Sequence, residues 1–425
     1  MTAERREFDA LVLAIGDAAS TGKVCGLTLK ERGRRLAVKV GAARVEVAET
    51  PEQAAAFTPA AGRDLLILRA SDQIVHYAVV EAVRDAEGEA GTNRPRIAVV
   101  PDTEPEAGSY AGAIYIPASS GICDTGIAAA GGRPAGGVRG DIAVALSMLA
   151  KPDGDVALAA QWKDHATTHA YAGVGRHRAV TKEERKAATK YMWQLIWKPE
   201  QDGWLSYHLF RPVAYPITRF FLPTPVSPNG ITAIVAVLAL VGCVICAWPS
   251  YEAAVIGSVM QHVAGYFDCT DGEIARLRHE GSKFGMWFDT LTDEATTVAY
   301  MVCIGIHNYH RYPDYQPYIA GMIILGFIGS MLSLYVIYYY LIKVARSGNS
   351  QDYPVKGGEL QKKLAQFLHR DFIGLATMLM AIFNVTEIAA VGMAIGGVVS
   401  GATLLPEHLK LRRDLASGAV VPRPA

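Results

Sequence analysis

Four aspartates that lie within or beside apolar segments constrain this chain more than any other feature of its sequence. They are Asp268, Asp271, Asp289 and Asp293, in a stretch of 26 residues from 268 to 293. Ionisable groups at membrane depth are costly, and they usually face a polar functional cavity. On helices, the first two aspartates share one face and the last two share another, because residues three or four apart are neighbours. Two such faces, set opposite each other, would bring four carboxylates to one point.

A bound cation is the simplest explanation for such a cluster. Four uncompensated carboxylates would repel one another by roughly several kcal/mol. Mg²⁺ and Mn²⁺ prefer carboxylate oxygens, so a divalent ion of this kind is the predicted cofactor. The alternative is that the acids are helix-end residues solvated at the membrane interface. That alternative would explain one or two of the acids, but not four in this register.

Apolar segments divide the chain of 425 residues into two parts, and 51% of all residues are hydrophobic. Residues 1 to about 190 contain no apolar run long enough to cross a bilayer. The net charge of zero gives no nucleic-acid footprint, so no nucleic-acid partner is expected. From about residue 231 onward, the pattern predicts a helical bundle of six membrane spans. The predicted spans are 231–249, 252–268, 286–306, 316–342, 371–385 and 386–405.

Charge around these spans predicts their orientation. Basic residues cluster in the loops after the second and fourth spans and in the C-terminal tail, whereas the opposite side holds Arg311 alone. The positive-inside rule then puts both termini and the four acids on the cytoplasmic side of an inner or plasma membrane. Met1–Asp9 is charged and has no apolar region of the kind found in signal peptides.

The spacing of the acids and their neighbours resembles the signature of the CDP-alcohol phosphotransferase (phosphatidyltransferase) family of integral membrane enzymes. The eight matching positions are Asp268, Asp271, Gly272, Ala275, Arg276, Gly285, Asp289 and Asp293. The resemblance implies a metal-dependent transferase that moves a substituted phosphate group from a CDP-alcohol to an acceptor hydroxyl and releases CMP. CDP-diacylglycerol is one candidate donor. It also implies membrane lipids as partners, a role in phospholipid or polyol-phosphodiester synthesis, and a homodimer.

The resemblance assigns roles to the matching residues. The four aspartates would hold two Mg²⁺ or Mn²⁺ ions, and Asp293 would also be the general base that takes the acceptor proton. Arg276 would stabilise the diphosphate. Gly272, Ala275 and Gly285 lack bulk, which would let the cytidine approach the helix backbones closely.

Two segments ahead of the acids extend the prediction. Asn229 and Thr232 resemble the family's TPN-x-x-T entry to the first span. They would either bind the nucleotide or cap the helix. Before them, Trp204–Leu222 alternates aromatic and basic residues, which indicates an amphipathic helix at the membrane surface, broken by Pro212 and Pro216. An ordinary linker helix is the alternative reading of this segment.

Four arginines are candidates for binding an anionic acceptor, because a guanidinium binds phosphate in a bidentate manner. Arg346 and Arg370 lie after the fourth span and before the fifth, and Arg211 and Arg219 lie in the amphipathic segment. Snorkelling of these side chains to lipid phosphates is the alternative. The acceptor itself stays open among a polyol, a polyol phosphate and a lipid hydroxyl.

The N-terminal part predicts a soluble α/β domain. Strands are expected at Asp9–Ala14, Ala43–Ala48 and Asp64–Arg69, with a helix over 27–39. This order resembles nucleotidyltransferase-like domains, which are fused ahead of the membrane part in archaeal inositol-phosphate enzymes. Here Asp17 puts a negative charge where a phosphate should bind, and Lys23 is displaced from the position of the basic residue.

We therefore expect a degenerate N-terminal domain. The predicted layout is a nucleotidyltransferase-like domain over 1–185, a linker and interfacial helix over 186–224, the six-span domain over 225–410 and a cytoplasmic tail over 411–425. The main alternative is a bifunctional enzyme that also makes its CDP-alcohol from CTP, in which Asp72 would bind a metal. A non-catalytic binding protein is disfavoured, because binding alone needs no base at the fourth acidic position. A stripe of Gly321, Gly326 and Gly329 predicts close helix contact, either between the protomers of a homodimer or within one protomer.

Overall fold

The computed structural model describes residues 7–86, 94–103, 109–120, 167–171, 175–196, 204–348, 352–354 and 370–423. The chain forms two compact units. One contains Met1–Trp197 with Leu277–His279, and the other contains Lys198–Arg276 with Glu280–Ala425.

The first unit is an α/β fold built on a mixed sheet of six strands. The strands of the whole unit are β1 (Phe8–Leu13), β2 (Lys23–Val24), β3 (Leu27–Thr28), β4 (Arg44–Ala48), β5 (Asp64–Arg69), β6 (Gln73–Val75), β7 (Arg96–Val99), β8 (Tyr110–Ile116), β9 (Thr167–Ala170) and β10 (Arg176–Arg178). Its helices are α1 (Asp17–Thr21), α2 (Leu29–Lys39), α3 (Pro51–Ala56), α4 (Tyr77–Arg84) and α5 (Lys182–Ile196). The order in the large sheet is β4-β1-β5-β8-β7-β9.

Strand β1 lies inside this sheet, parallel to β4 and β5. All six of its residues are buried, as expected for a strand with both faces covered. The predicted α/β character and the three predicted strands are confirmed to within one residue at their ends. The predicted helix over 27–39 begins only at Leu29, because Thr28 is its N-cap and accepts a hydrogen bond from the Glu31 N–H at 3.2 Å.

The second unit is helical. Its helices are α6 (Arg211–Phe221), α7 (Pro228–Cys246), α8 (Tyr251–Arg278), α9 (Lys283–Arg311), α10 (Gln316–Tyr340), α11 (Arg370–Ile382) and α12 (Thr386–Ala416). A π-helical turn, Ser206–Phe210, precedes α6, and another, Leu341–Ala345, continues α10. Each of the six predicted spans falls on one of the helices from α7 to α12.

Three stretches in the described part of the chain are long and apolar enough to cross a membrane: Pro228–Cys246, Pro313–Ala345 and Thr386–Ala416. Helix α11 is apolar but short. Helices α8 and α9 have 28 and 29 residues, which is length enough to cross, but they carry the acids. The structure therefore supports a membrane protein, and the count of six spans stays a prediction.

Helix α6 corrects the expected break at the two prolines. Pro212 lies in the first turn, where the missing N–H costs no intrahelical hydrogen bond, and the helix runs on through Pro216. Arg211, Ala214 and Thr218 form its buried face, while Phe220 is exposed. The amphipathic character is confirmed, and its place at a membrane surface stays a prediction.

The glycine stripe of α10 packs within one protomer. A Cβ on Gly326 would lie 2.8 Å from the Cα of Ala394, and one on Gly329 would lie 2.5 Å from the carbonyl oxygen of Gly397. Both neighbours belong to α12. Gly321, in contrast, has no atom within 4 Å of its Cβ position among the described residues. Gly326 and Gly329 therefore follow the second of the two predicted arrangements, and the homodimer stays a prediction on other grounds.

Replacing Gly329 by alanine is expected to destabilise the helical unit, because a methyl group would meet the α12 backbone. Overpacking of this kind costs about 1–3 kcal/mol. The same change at Gly321 is the matched control, since it adds its methyl group in open space. Thermal unfolding in detergent measures both variants. Equal midpoints for Gly329→Ala and Gly321→Ala would contradict the close packing of α10 and α12.

Candidate active site

Three of the four aspartates converge in the structure. Asp268 and Asp271 lie one turn apart on α8, and Asp289 lies in the second turn of α9. One carboxylate oxygen of each lies within 4.8 Å of the corresponding oxygens of the other two. Only residues 279–282 connect the two helices, and Ser282 caps α9 by accepting a hydrogen bond from the Gly285 N–H at 2.9 Å. A cluster of hard oxygen ligands fits Mg²⁺ or Mn²⁺.

Asp293 occupies a different position. It is not part of the group of three, but it lines a pocket together with Asp268. Its backbone carbonyl accepts hydrogen bonds from Thr296 and Thr297, which lie one turn later on α9. Asp293 therefore stands at the edge of the acid cluster and faces a cavity, which is a place suited to a proton acceptor.

Thr232 and Asn229 contact the two acid-bearing helices. The Thr232 hydroxyl donates a hydrogen bond to the buried carboxylate of Asp271 and thereby fixes one of its oxygens. A Cβ on Gly285 would lie 2.7 Å from Oδ1 of Asn229, so this glycine allows the amide to approach α9. The cap of α7 is Ser227, whose hydroxyl accepts from the Gly230 N–H at 3.1 Å, so neither Asn229 nor Thr232 has the capping role.

Arg276 is exposed at the end of α8 and lies against Gly272, one turn earlier. A Cβ on Gly272 would be 3.4 Å from Nη1 of the guanidinium. The glycine therefore leaves room for the arginine beside Asp271. Ala275, which lies between Gly272 and Arg276 in the sequence, is half-buried.

Glu273 is a residue of this region that sequence reasoning missed. Its fully buried carboxylate accepts hydrogen bonds from Nη1 of Arg211 at 3.1 Å and from the Thr218 hydroxyl at 2.6 Å. These contacts attach α6 to the helix that carries Asp268 and Asp271. The sequence contains a signal for this contact. Glu273 is an acidic residue inside the motif and needs a partner when it is buried, and Arg211 is a basic residue in the amphipathic segment.

This finding gives Arg211 a structural contact. Its guanidinium is buried and paired with Glu273, and the acceptor contact predicted for it stays a prediction. Arg219 lies on the exposed side of the same helix.

The other two acceptor candidates are Arg346 and Arg370. Arg346 is exposed at the end of the π-helical turn after α10 and lines a separate pocket with Trp287 and Tyr338. Its backbone is left-handed, with φ of 49°. Arg370 begins α11, and its side chain lies outside the described residues.

In the first unit, the residues considered for nucleotide chemistry are placed as follows. Asp17 begins α1, directly after Gly16 with φ of 99°. Lys23 is exposed on β2. Asp72 is buried, and both of its carboxylate oxygens accept hydrogen bonds of 2.7 Å from Arg69. A guanidinium on both oxygens favours a structural role for Asp72 over metal binding.

Known proteins resemble parts of this chain. Residues 225–400 match the family described as CDP-alcohol phosphatidyltransferase. The bifunctional IPC transferase and DIPP synthase of Aquifex aeolicus (strain VF5) is 26% identical over 139 residues, which is 33% of this chain and 31% of the relative. The protein of the same description from Thermococcus kodakarensis is 23% identical over 163 residues, 38% of this chain and 35% of the relative. The chain thus spans about a third of the length of these relatives.

A solved structure is also similar. The phosphatidylinositol phosphate synthase of Mycobacterium tuberculosis, with CDP-DAG bound, aligns with a TM-score of 0.36 and 16% identity, over 46% of this chain and 94% of that one. The family match covers all eight positions of the aspartate motif. Residues 225–400 of this chain are therefore a CDP-alcohol phosphatidyltransferase domain.

Proposed function

We propose that this protein transfers a substituted phosphate group from a CDP-alcohol to an acceptor hydroxyl and releases CMP, in phospholipid or polyol-phosphodiester synthesis. The observation that carries the proposal is the convergence of Asp268, Asp271 and Asp289 within the domain that matches the family. The curated relatives are named as transferases, which supports the same reaction class.

In the proposed reaction, Asp293 takes the proton from the acceptor hydroxyl. The acceptor oxygen attacks the β-phosphorus of the CDP-alcohol, a new O–P bond forms, and the bond from that phosphorus to the CMP oxygen breaks. CMP leaves with the electron pair. Divalent cations held by the four aspartates, two ions in this proposal, would neutralise the diphosphate and the charge that develops on CMP.

The neighbouring residues have supporting roles in the proposal. Arg276, exposed beside Gly272, would donate to the diphosphate. Thr232 keeps the Asp271 carboxylate in one orientation through its hydrogen bond. The cytidine would bind where Gly272, Ala275 and Gly285 leave the backbone uncovered, with Asn229 beside it.

Turnover by the purified full-length protein tests the proposal. CDP-diacylglycerol and CDP-inositol serve as donors, alcohols and alcohol monophosphates serve as acceptors, and CMP release is measured with Mg²⁺ and after chelation. We expect CMP release with at least one pair, and its loss on chelation. Absence of CMP release with every pair, by protein that stays folded and binds CDP-alcohol, would refute the reaction.

A second candidate is a bifunctional enzyme whose first unit makes the CDP-alcohol from CTP and a phospho-alcohol. The description of both curated relatives as bifunctional favours it. Against it stand Asp17 at the start of α1 and the pairing of Asp72 with Arg69. We expect no pyrophosphate when the full-length protein is given CTP with inositol or glycerol monophosphate. Pyrophosphate release above the no-enzyme control would establish the bifunctional reading.

We also propose that the protein lies in an inner or plasma membrane as a homodimer, with both termini and the acids on the cytoplasmic side. The three apolar stretches support the membrane location. A cysteine at Ser417, near the C-terminus, should react with an impermeant maleimide only in inside-out vesicles. A cysteine at Asp314 should react only in right-side-out vesicles, and the reverse pattern would contradict the proposed orientation.

A further inference from the structure

The last residues of helix α8 belong to the first unit. Leu277–His279 group with Met1–Trp197, whereas Arg276, the residue directly before them, groups with the second unit. Arg276 is the proposed donor to the diphosphate, and a single peptide bond joins it to Leu277. The contacts that hold Leu277 in place therefore also restrain the backbone of Arg276.

The end of α8 has carbonyl groups that need partners from outside the helix, as every helix end does. The Glu280 N–H donates to the carbonyl oxygen of Ala275 at 2.9 Å and closes the last turn. His279, which follows the helix, has a left-handed backbone with φ of 55°. This conformation is unfavourable for a residue other than glycine and persists where surrounding contacts hold it. The carbonyl groups of Leu277 and Arg278 are left to find donors elsewhere in the chain.

Helix α2 supplies these donors. Nη1 of Arg32 donates to the carbonyl oxygen of Leu277 at 2.7 Å, and Nη1 of Arg35 donates to that of Arg278 at 3.3 Å. A cation at the C-terminal end of a helix also interacts favourably with the partial negative charge of the helix dipole. Helix α2 thus provides both hydrogen bonds and positive charge to the end of α8.

The Arg32 guanidinium makes the shorter of these two contacts and is buried, with 2% of the residue exposed. Its Nη2 donates to the carbonyl oxygen of Val24 at 2.7 Å, so both of its described hydrogen bonds go to backbone carbonyl groups. Burying a charge is costly, and hydrogen bonds from a charged donor are stronger than neutral ones. A guanidinium in this environment holds the Leu277 carbonyl more firmly than a solvated side chain would.

The helix that carries Arg32 is itself fixed to the core of the first unit. A Cβ on Gly33 would lie 2.8 Å from the Cβ of Ala70 and 2.8 Å from Cγ1 of Val12. Helix α2 therefore packs directly against β1 and the end of β5, with no side chain between them. Close packing of this kind leaves little freedom of movement, so Arg32 extends from a rigid base.

We propose that Arg32 is a positioning residue for the transferase reaction, in which it holds the Leu277 carbonyl and thereby fixes the last turn of α8, from which Arg276 reaches the diphosphate. This inference rests on the proposed function. It gives the α/β unit a part in phosphate transfer that needs no nucleotide chemistry within that unit. Arg35 adds a second, longer contact at the neighbouring carbonyl group.

Hydrogen exchange of the full-length protein in detergent gives the first test and needs no turnover. In Arg32→Met, the backbone amides of residues 277–281 should exchange at least about tenfold faster than in the wild type, because the last turn frays without its donor. The amides of β1 and β5 should keep their wild-type rates. Arg34→Met is the matched control, since Arg34 is exposed on the same helix and bonds to Glu31. Wild-type exchange over 277–281 in Arg32→Met would overturn the proposal.

The variant Arg32→Lys covers the case in which Arg32→Met unfolds the first unit, which fast exchange in β1 would reveal. Lysine keeps the buried charge but lacks the planar fork that reaches two carbonyl groups at once. We expect exchange over 277–281 to rise at least about threefold in this variant, with β1 unchanged. A folded Arg32→Lys protein with wild-type exchange over 277–281 would also overturn the proposal.

Kinetics separate positioning of Arg276 from a general loss of stability. The donor is CDP-diacylglycerol or CDP-inositol, whichever releases CMP with the wild-type protein. Arg276→Met should lower kcat/KM for the donor by about a hundredfold. Arg32→Met should lower it by about tenfold. On the Arg276→Met background, Arg32→Met should lower it by less than about twofold, because the group that it positions is already absent.

Three outcomes of the kinetic test would overturn the proposal. They are an equal loss from Arg32→Met on both backgrounds, which would mean that Arg32 acts through stability alone, a wild-type kcat/KM for Arg32→Met, and a wild-type kcat/KM for Arg276→Met. Absence of CMP release by the wild-type protein would instead refute the proposed function. Hydrogen exchange would then still decide whether Arg32 holds the end of α8, so the two failures are distinguishable.

Discussion

Replacement of Asp293 by asparagine is expected to lower kcat for transfer by about a thousandfold, which is the typical contribution of a positioned general base. Asparagine keeps the size and the oxygen of the side chain but cannot take the acceptor proton. The KM for the CDP-alcohol should change by less than about threefold, because the side-chain oxygen of asparagine can still bind a cation while the proton transfer is lost. Steady-state CMP release at saturating Mg²⁺ measures both constants.

Two further variants separate this effect from loss of metal. Asp268→Asn, in the group of three acids, should raise the Mg²⁺ concentration for half-maximal activity by about tenfold or more and weaken CDP-alcohol binding with it. Asp314→Asn changes an exposed aspartate between α9 and α10 and should have no effect. If Asp293→Asn kept a tenth of the wild-type turnover at saturating Mg²⁺, another group would be the base.

The positions of the acids show what sequence can predict and where it stops. Helical periodicity correctly predicted that Asp268 and Asp271 share a face, and the short connection between α8 and α9 brings Asp289 to them. The same reasoning placed the carboxylate of Asp293 at the same point as the other three. Four residues of helix advance by about 6 Å, so the fourth acid lies a full turn further along α9, where it meets a pocket.

Contacts between distant segments could not be predicted from the sequence. Arg211 and Glu273 are 62 residues apart, and nothing in either segment specifies that they pair. Basic residues in an amphipathic segment can bind lipid, substrate or a buried acid, and only the packing of α6 decides among these.

The glycine stripe illustrates a different limit. Small residues at Gly326 and Gly329 correctly indicated close helix packing, since a backbone can approach only where side chains are absent. Periodicity does not say whether the approaching helix belongs to the same protomer. In this protein it is α12 of the same chain, whose Ala394 and Gly397 complete the contact.

Replacement of Arg211 by methionine is expected to destabilise the helical unit by about 3–5 kcal/mol, because it leaves the carboxylate of Glu273 buried without its cation. For a unit of this size, that loss lowers the unfolding midpoint by roughly 10 °C. Thermal unfolding in detergent gives the measurement. Arg219→Met is the matched control, since it makes the same change on the exposed side of the same helix, and it should leave the midpoint within about 1 °C of wild type.

The double variant Arg211→Met, Glu273→Leu decides between a structural contact and an acceptor contact for Arg211. With both charges removed, no unpaired ion remains, and most of the lost stability should return. If Arg211 acts only through Glu273, the double variant should also recover the wild-type KM for the acceptor. A stable double variant whose acceptor KM stays about tenfold higher would instead place the guanidinium in contact with the acceptor. The buried pair would then hold Arg211 ready for substrate, and the acceptor would carry a negative charge.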